Sequence, residues 1–284
     1  MPRGRRGSYI RVMDLDFSEA DIRRYARHIL LPEVGGTGQA KLAAASVLVV
    51  GAGGLGSPLL LYLAAAGVGH IGLVDDDTVD LSNLQRQIAF ATADLGRPKV
   101  FAAAEAAARL NPGPRIEPLP MRLDASNALE LVGRFDIVCD GTDNFGTRFL
   151  LSDACVLARR TLVSAAVLRF EGQLATFKPH AGPGLPCYRC LYPAPPPPGL
   201  VPTCSEAGIL GSVTGVLGSL QATEVLKEIL GIGDGLAGRL LLWDALGARM
   251  RTVRLPADPA CPACGEHATL RDLSAHAPGH PHGG

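Results

Sequence analysis

Short apolar runs recur along the first two thirds of the chain, each separated from the next by a stretch carrying helix-forming Ala and Leu. Ser46–Val50, His70–Asp75, Ile116–Leu119, Asp136–Asp140 and Thr161–Ala166 are strand-length, and their alternation with helical segments predicts an α/β fold with a doubly wound, mostly parallel sheet. After Ala166 the order changes. Gly172–Phe177, RLLLWDA from Arg239 and RMRTVRL from Arg249 read as strands outside that alternation, so antiparallel additions are expected at the C-terminal end. A Pro-rich loop, Tyr192–Pro202, is too stiff for helix or strand, and an apolar helix is expected from about Gly208 to Leu230. Residues 1–19 and 266–284, the latter rich in Gly, Pro and His, read as disordered tails around one folded unit.

The first apolar run ends on Gly51-Ala52-Gly53-Gly54-Leu55-Gly56, a strand-to-helix turn in which the spaced glycines allow a tight turn, close phosphate approach and close helix packing. Asp75 closes the second run at the position where an acid hydrogen-bonds a ribose. To this point NAD and ATP fit equally. The next segment favours ATP, because Asn83, Arg86 and Lys99 follow soon after the ribose acid, and donors clustered near a phosphate turn suit a triphosphate whose α-phosphate gains charge on attack. Taken singly, Arg86 and Lys99 read as solvated surface charges. Asp143, after the fourth strand, is placed either to hold Mg²⁺ on the phosphates or to cap a turn or helix.

Composition narrows the class. At 284 residues and 47% hydrophobic the chain can bury a large core without staples, and its formal net charge of zero removes the electrostatic case for a nucleic-acid partner. Charged residues, Gly and Pro interrupt every run long enough to suggest a membrane span, and the basic start lacks the apolar core of a secretory signal, so a cytoplasmic protein is expected.

The seven cysteines fit metal binding better than a disulfide framework. Cys187-Tyr188-Arg189-Cys190 and Cys261-Pro262-Ala263-Cys264 have the spacing by which two tight turns each offer two thiolates to a tetrahedral zinc, and a closed four-sulfur site is structural. Cys139 and Cys155 fall on apolar stretches and read as core. Cys204, in a loop just before a helix, is placed to be reactive.

From RRYARHILLPEVGGTGQAKL (Arg23–Leu42) through GAGGLG, LSNLQRQ, GRPK, DGTDN, CYRC, PTCSEAGILG and CPAC, the chain resembles the HesA/MoeB/ThiF family of adenylyltransferases related to ubiquitin-activating enzymes. The likeness covers about residues 20–265: a Rossmann-like core over about 45–180, then a zinc-clipped part over about 181–265. It implies an enzyme that uses MgATP to adenylate the C-terminal glycine carboxylate of a ubiquitin-like sulfur-carrier protein ending in Gly-Gly. Pyrophosphate leaves, and sulfur later displaces AMP to give a thiocarboxylate. The Pro-rich loop is more similar to the molybdopterin-type activators than to the thiamine type.

Carried over by position, the resemblance implies Gly51, Gly53, Gly54 and Gly56 for the phosphate loop and Asp75 for the ribose. Ser82, Asn83, Leu84, Gln85, Arg86 and Lys99 belong to the nucleotide set, and Asp143 with Asn144 to the magnesium side. It further implies that Arg27 is lent to the neighbouring subunit's ATP, hence a homodimer, and that Cys204 forms an acyl or persulfide link in some members. Only about twenty residues follow Cys264, so no sulfur-donor domain is expected there and sulfur would come from a separate protein or sulfide. Two other readings stand beside this one: an NAD-dependent oxidoreductase, resting on the glycines and Asp75, and a catalytically silent nucleotide-binding scaffold.

Overall fold

A computed structural model describes residues 17–197 and 207–277. Two helices lead in, α1 (Glu19–Ile29) and α2 (Gly35–Ala44). Ser18 caps α1 in a reciprocal box with Asp21, which satisfies donors that the first turn would leave unpaired. The alternating section follows as β1 (Ser46–Val50), α3 (Gly56–Ala66), β2 (His70–Val74), α4 (Lys99–Leu110), β3 (Arg115–Leu119), α5 (Ala128–Gly133), β4 (Ile137–Asp140), α6 (Phe145–Ala158) and β5 (Thr161–Leu168). The chain then gives β6 (Glu171–Phe177), a single turn α7 (Tyr188–Leu191), the long α8 (Gly211–Leu230), β7 (Arg239–Asp244) and β8 (Arg249–Arg254).

The strands form one eight-stranded sheet in the order β3-β2-β1-β4-β5-β6-β7-β8. Pairings from β3 to β5 are parallel and those from β5 to β8 antiparallel, as the change of pattern after Ala166 predicts. Alternate residues of each strand face opposite layers. Val47, Val49, Ile71 and Cys139 pack with α3, α4 and α8, whereas Leu48, Val50 and Val138 pack with α5 and α6. Both faces of the central strands are therefore dry, which is why they read as unbroken apolar runs.

Strand order reverses between β1 and β4, so the crevice outside their carboxyl ends is where an open α/β sheet binds ligands. The backbone is tight there. Gly51 has φ +93°, and a Cβ on it would stand 2.9 Å from the Gly141 carbonyl oxygen; one on Gly56 would stand 1.8 Å from the Gly51 carbonyl oxygen. Any side chain at either place would push the turn, α3 or the β4 end away from the crevice.

The expectation of a disordered tail from residue 266 needs correction over its described part. Leu273 is buried in the α5/α6 layer, and a 3₁₀ turn at Ser274–His276 places the His276 ring against α6. The Gly and Pro of the segment all lie beyond residue 277, and one anchoring Leu and one hydrogen bond to a buried carboxylate hold the described stretch. Residues 278–284, with His280 and His282, lie outside the described residues. No helix among the described residues is long and apolar enough to cross a membrane.

Candidate active site and four-cysteine centre

A cavity of about 670 Å³ opens at the β1/β4 crevice. Gly51, Gly53 and Gly54 line it together with Leu55, the residue before α3, and a glycine turn that leads into a helix in this way favours an anion. Asp75, Arg86, Lys99, Asp143 and Asn144 line the same space, so residues spread over more than ninety positions of sequence converge on it.

Asp75 accepts from the Ala52 amide at 2.7 Å and from the Asp77 amide at 2.9 Å, which pins its carboxylate beside the glycine turn. Burial raises its pKa, and the nearby Lys99 charge only partly offsets this. Lys99 is the first residue of α4, 5% exposed, with its ammonium 2.6 Å from Asp77 Oδ2. The reading of Lys99 as a solvated surface charge is thereby corrected: the chain folds back so that Thr78 pairs with Pro98 and Asp77 meets the buried Lys99. Arg86 is half-buried and donates to the Ser82 carbonyl at 3.0 Å. Asp143 is exposed at the rim, while Asn144 caps α6 by accepting from the Thr147 amide at 2.8 Å.

Other sequence candidates stand off. Gly56 serves the α3 turn rather than the cavity wall, Ser82 and Asn83 lie on the adjoining 3₁₀ turn (Leu81–Asn83), and Leu84 and Gln85 follow it, all four outside the lining. Asp80 organises that turn, accepting from Ser82 Oγ at 2.5 Å. Arg27 is exposed on α1 and does not line the cavity of its own chain. Cys204 lies outside the described residues.

The lining also holds residues that sequence reasoning passed over. Gln87, 4% exposed, ends the LSNLQRQ run and lines the cavity, and its Oε1 is buried with no hydrogen-bond partner among the described residues. A ligand donor would complete it. Arg148 on α6 is buried, donates to the Thr142 carbonyl, and lies 3.7 Å from Asp140 Oδ2. Asp140 in turn accepts from Thr142 Oγ1 at 2.8 Å and Ser164 Oγ at 2.7 Å, and Gln221 of α8 donates to the Asp140 carbonyl at 2.8 Å. This network fixes the loop that carries Asp143. An Arg within the apolar run FGTRFLL was the one local sign of it.

The four paired cysteines also meet, with Cys187 Sγ 3.5 Å from Cys261 Sγ and Cys190 Sγ 3.4 Å from Cys264 Sγ. All four sulfurs lie within 4.8 Å of one another. Tetrahedral thiolates around a zinc at about 2.3 Å would stand about 3.8 Å apart, so the cluster fits that ion. The Asp258 amide donates to Cys190 Sγ at 3.3 Å, the kind of outer contact that orients a metal-binding sulfur. Hydrogen bonding from Cys187 pushes the Cys261 thiol down, while Cys187 itself is pushed up through its bond to Cys190. Cys139 and Cys155 are buried, and burial pushes both thiols up, as inert core residues require.

Tyr188, between the first two ligands, joins the two centres. It lines the cavity and stacks edge-on to Phe149 and Phe177 at 5.2 and 5.7 Å between ring centroids.

The fold and its crevice define a doubly wound α/β protein of the nucleotide-binding type, with four cysteines gathered in its C-terminal part. The chain belongs to the ThiF family, whose model matches residues 25–263. It is 56% identical over 257 residues to bovine adenylyltransferase and sulfurtransferase MOCS3, covering 90% of this chain and 56% of that protein. It is 50% identical over 260 residues to the sulfur carrier protein adenylyltransferase of Thermus thermophilus, covering 90% of this chain and 96% of that one. The chain thus spans only about half the length of the MOCS3 relative. Among solved structures, Escherichia coli MccB with ATP has a TM-score of 0.73 at 21% identity over 85% of this chain and 74% of its own, a likeness of fold.

Proposed function

We propose that the chain is an ATP-dependent adenylyltransferase that activates the C-terminal glycine carboxylate of a ubiquitin-like sulfur-carrier protein. The carrying observation is the convergence of the Gly53-Gly54 turn, Asp75, Lys99, Arg86 and Asp143 on one cavity. The Thermus relative, matched over nearly its whole length, bears the name of this activity.

In this reading Asp75 takes the ribose hydroxyls, and the turn and α3 start take the phosphates. Lys99 and Arg86 offset charge as the glycine carboxylate oxygen attacks the α-phosphorus. A new carboxylate–phosphorus bond forms, the bond to the bridging α–β oxygen breaks, and pyrophosphate leaves with that oxygen. Asp143 would hold Mg²⁺, which when bound supplies charge neutralisation to the triphosphate. Two anions repel each other strongly, so the protein's task is to fix and neutralise them. A sulfur donor then displaces AMP, and Cys204 is the candidate for any covalent link to the carrier.

Zinc at Cys187, Cys190, Cys261 and Cys264 would close the C-terminal part on the body. Arg27, exposed and away from its own cavity, would serve a partner subunit's site in a homodimer. The oxidoreductase reading leaves Lys99, Arg86 and Asp143 in the cavity unused.

The test is pyrophosphate–ATP exchange with carriers ending in Gly-Gly, added one at a time. Carrier-dependent exchange is expected. Tight ATP binding without exchange for any carrier would favour the silent scaffold, and absence of ATP binding would overturn the reading altogether.

A further inference from the structure

We infer that Asp77 is the exchange partner of Lys99: it holds the Lys99 ammonium while the cavity lacks a polyphosphate, and reclaims it as pyrophosphate departs. This rests on the reading of Lys99 as a phosphate ligand.

The asymmetry of the pair carries the inference. The Lys99 side chain is 6% exposed and that of Asp77 67%, with Nζ and Oδ2 2.6 Å apart. A buried ammonium needs a counter-charge at all times. A carboxylate that is largely solvated has no such need and can leave without cost to its own hydration. When phosphate oxygens enter, the ammonium can stay in place and only its acceptor changes.

The backbone keeps that acceptor within reach. The Lys99 amide donates to the Asp77 carbonyl at 2.9 Å and the Val79 amide to the Arg97 carbonyl at 2.9 Å, with Thr78 and Pro98 paired between them. This short ribbon places residue 77 opposite residue 99 whatever the side chains do. Asp75 Oδ1 also accepts from the Asp77 amide, so the proposed ribose-binding acid sits on the same strut.

Electrostatics sets the direction of the effect. Asp75, Asp76 and Asp77 each bring a carboxylate oxygen within 4.8 Å of the other two, and all three line the cavity that must admit a polyanion. Asp77 therefore opposes nucleotide binding in two ways, by repulsion and by competition for Lys99. What such a group offers an enzyme is release: pyrophosphate must give up its cation, and a tethered carboxylate close by accepts it.

The experiment measures binding of α,β-methylene ATP and of pyrophosphate at fixed Mg²⁺ by calorimetry, to the unaltered chain, Asp77→Asn, Asp77→Glu, Lys99→Ala and the Asp77→Asn/Lys99→Ala double variant. Asp77→Asn is expected to bind both ligands roughly three- to tenfold tighter, within the range for a partly exposed ion pair facing a polyanion. In turnover it should lower the KM for ATP together with kcat, and deepen inhibition by pyrophosphate. Asp77→Glu should stay close to the unaltered chain, and the Asp77→Asn effect should shrink on the Lys99→Ala background to the part that direct repulsion supplies. Weaker binding by Asp77→Asn would overturn the inference by making Asp77 a ligand of the nucleotide or its metal. Unchanged binding would also overturn it, leaving the pair incidental. Native-like ATP binding by Lys99→Ala would instead remove the phosphate role of Lys99 itself. Should Asp77→Asn fail to fold, Asp77→Ser carries the same expected sign.

Discussion

His276 Nε2 lies 2.7 Å from Asp153 Oδ2, and that fully buried carboxylate also takes both Nε and one terminal nitrogen of Arg189 at 2.8 and 2.7 Å. Arg189 stands between the paired cysteines Cys187 and Cys190, and its guanidinium lies 4.9 Å from the Phe149 ring centroid. One carboxylate on α6 therefore ties the first knuckle to the chain beyond the second.

Removing either end of this tie should have unequal effects. Asp153→Ala strips the partly buried Arg189 guanidinium of its counter-ion and is expected to cost about 3 kcal/mol, the low end for a buried pair, whereas His276→Ala loses one hydrogen bond to a charged group, about 1.5 kcal/mol. Urea titration of each variant checks the order. Equal and small losses would mean that the contacts do not hold the segment.

A strong chelator should lower the melting temperature at concentrations where adenylation by the surviving folded protein is unchanged, because a four-thiolate site leaves no open position for chemistry. Metal analysis should find zinc bound to the chain as purified. Unaltered melting after verified metal loss would refute the clip.

Lys99→Ala and Asp143→Ala should each lower AMP transfer by on the order of 10²-fold or more while circular dichroism stays native, since both act on charge developing at the phosphates. Full activity in either variant would remove that residue from the site.

Arg27→Ala and Lys99→Ala chains, each inactive alone, should regain activity when mixed, because in the proposed dimer a mixed pair carries one site whose own Lys99 and borrowed Arg27 are both intact. Verified subunit exchange without recovery would count against shared sites.

The raised pKa of Asp75 predicts a pH effect with a definite sign. The carboxyl takes a proton at higher pH than an ordinary aspartate, so adenosine affinity should fall as pH drops through that raised value, and Asp75→Asn should flatten the profile. Adenosine avoids the titration of ATP's own phosphates. For stability the sign is opposite: a carboxylate with a raised folded-state pKa opposes folding when ionised, and protonation relieves the penalty. Mild acid should therefore cost nucleotide binding without loss of stability from this residue.

Much of the fold was legible. Ser46–Val50 appears as β1 over the same residues, because an apolar run closed by glycine has few other ways to satisfy its backbone. The two Cys-x-x-Cys pairs are local turns, so their spacing alone announced four convergent sulfurs. Arg148 shows where such reading ends. Nothing near it reveals that its partner is Asp140 on the strand before, with Ser164 and Gln221 completing the network from the next strand and from α8.

The sequence by itself determined which residues form strands, where the glycine turn falls, and which cysteines pair, since these depend on backbone geometry and neighbours a few positions apart. Only the tertiary structure decided that Lys99 is buried on Asp77, that Gln87 and Tyr188 line the cavity, and that His276 shares Asp153 with Arg189 of the first cysteine knuckle. Those contacts join segments distant along the chain, and burial and electrostatic partnership follow from strand order and layer packing rather than from the pattern of residues around each one.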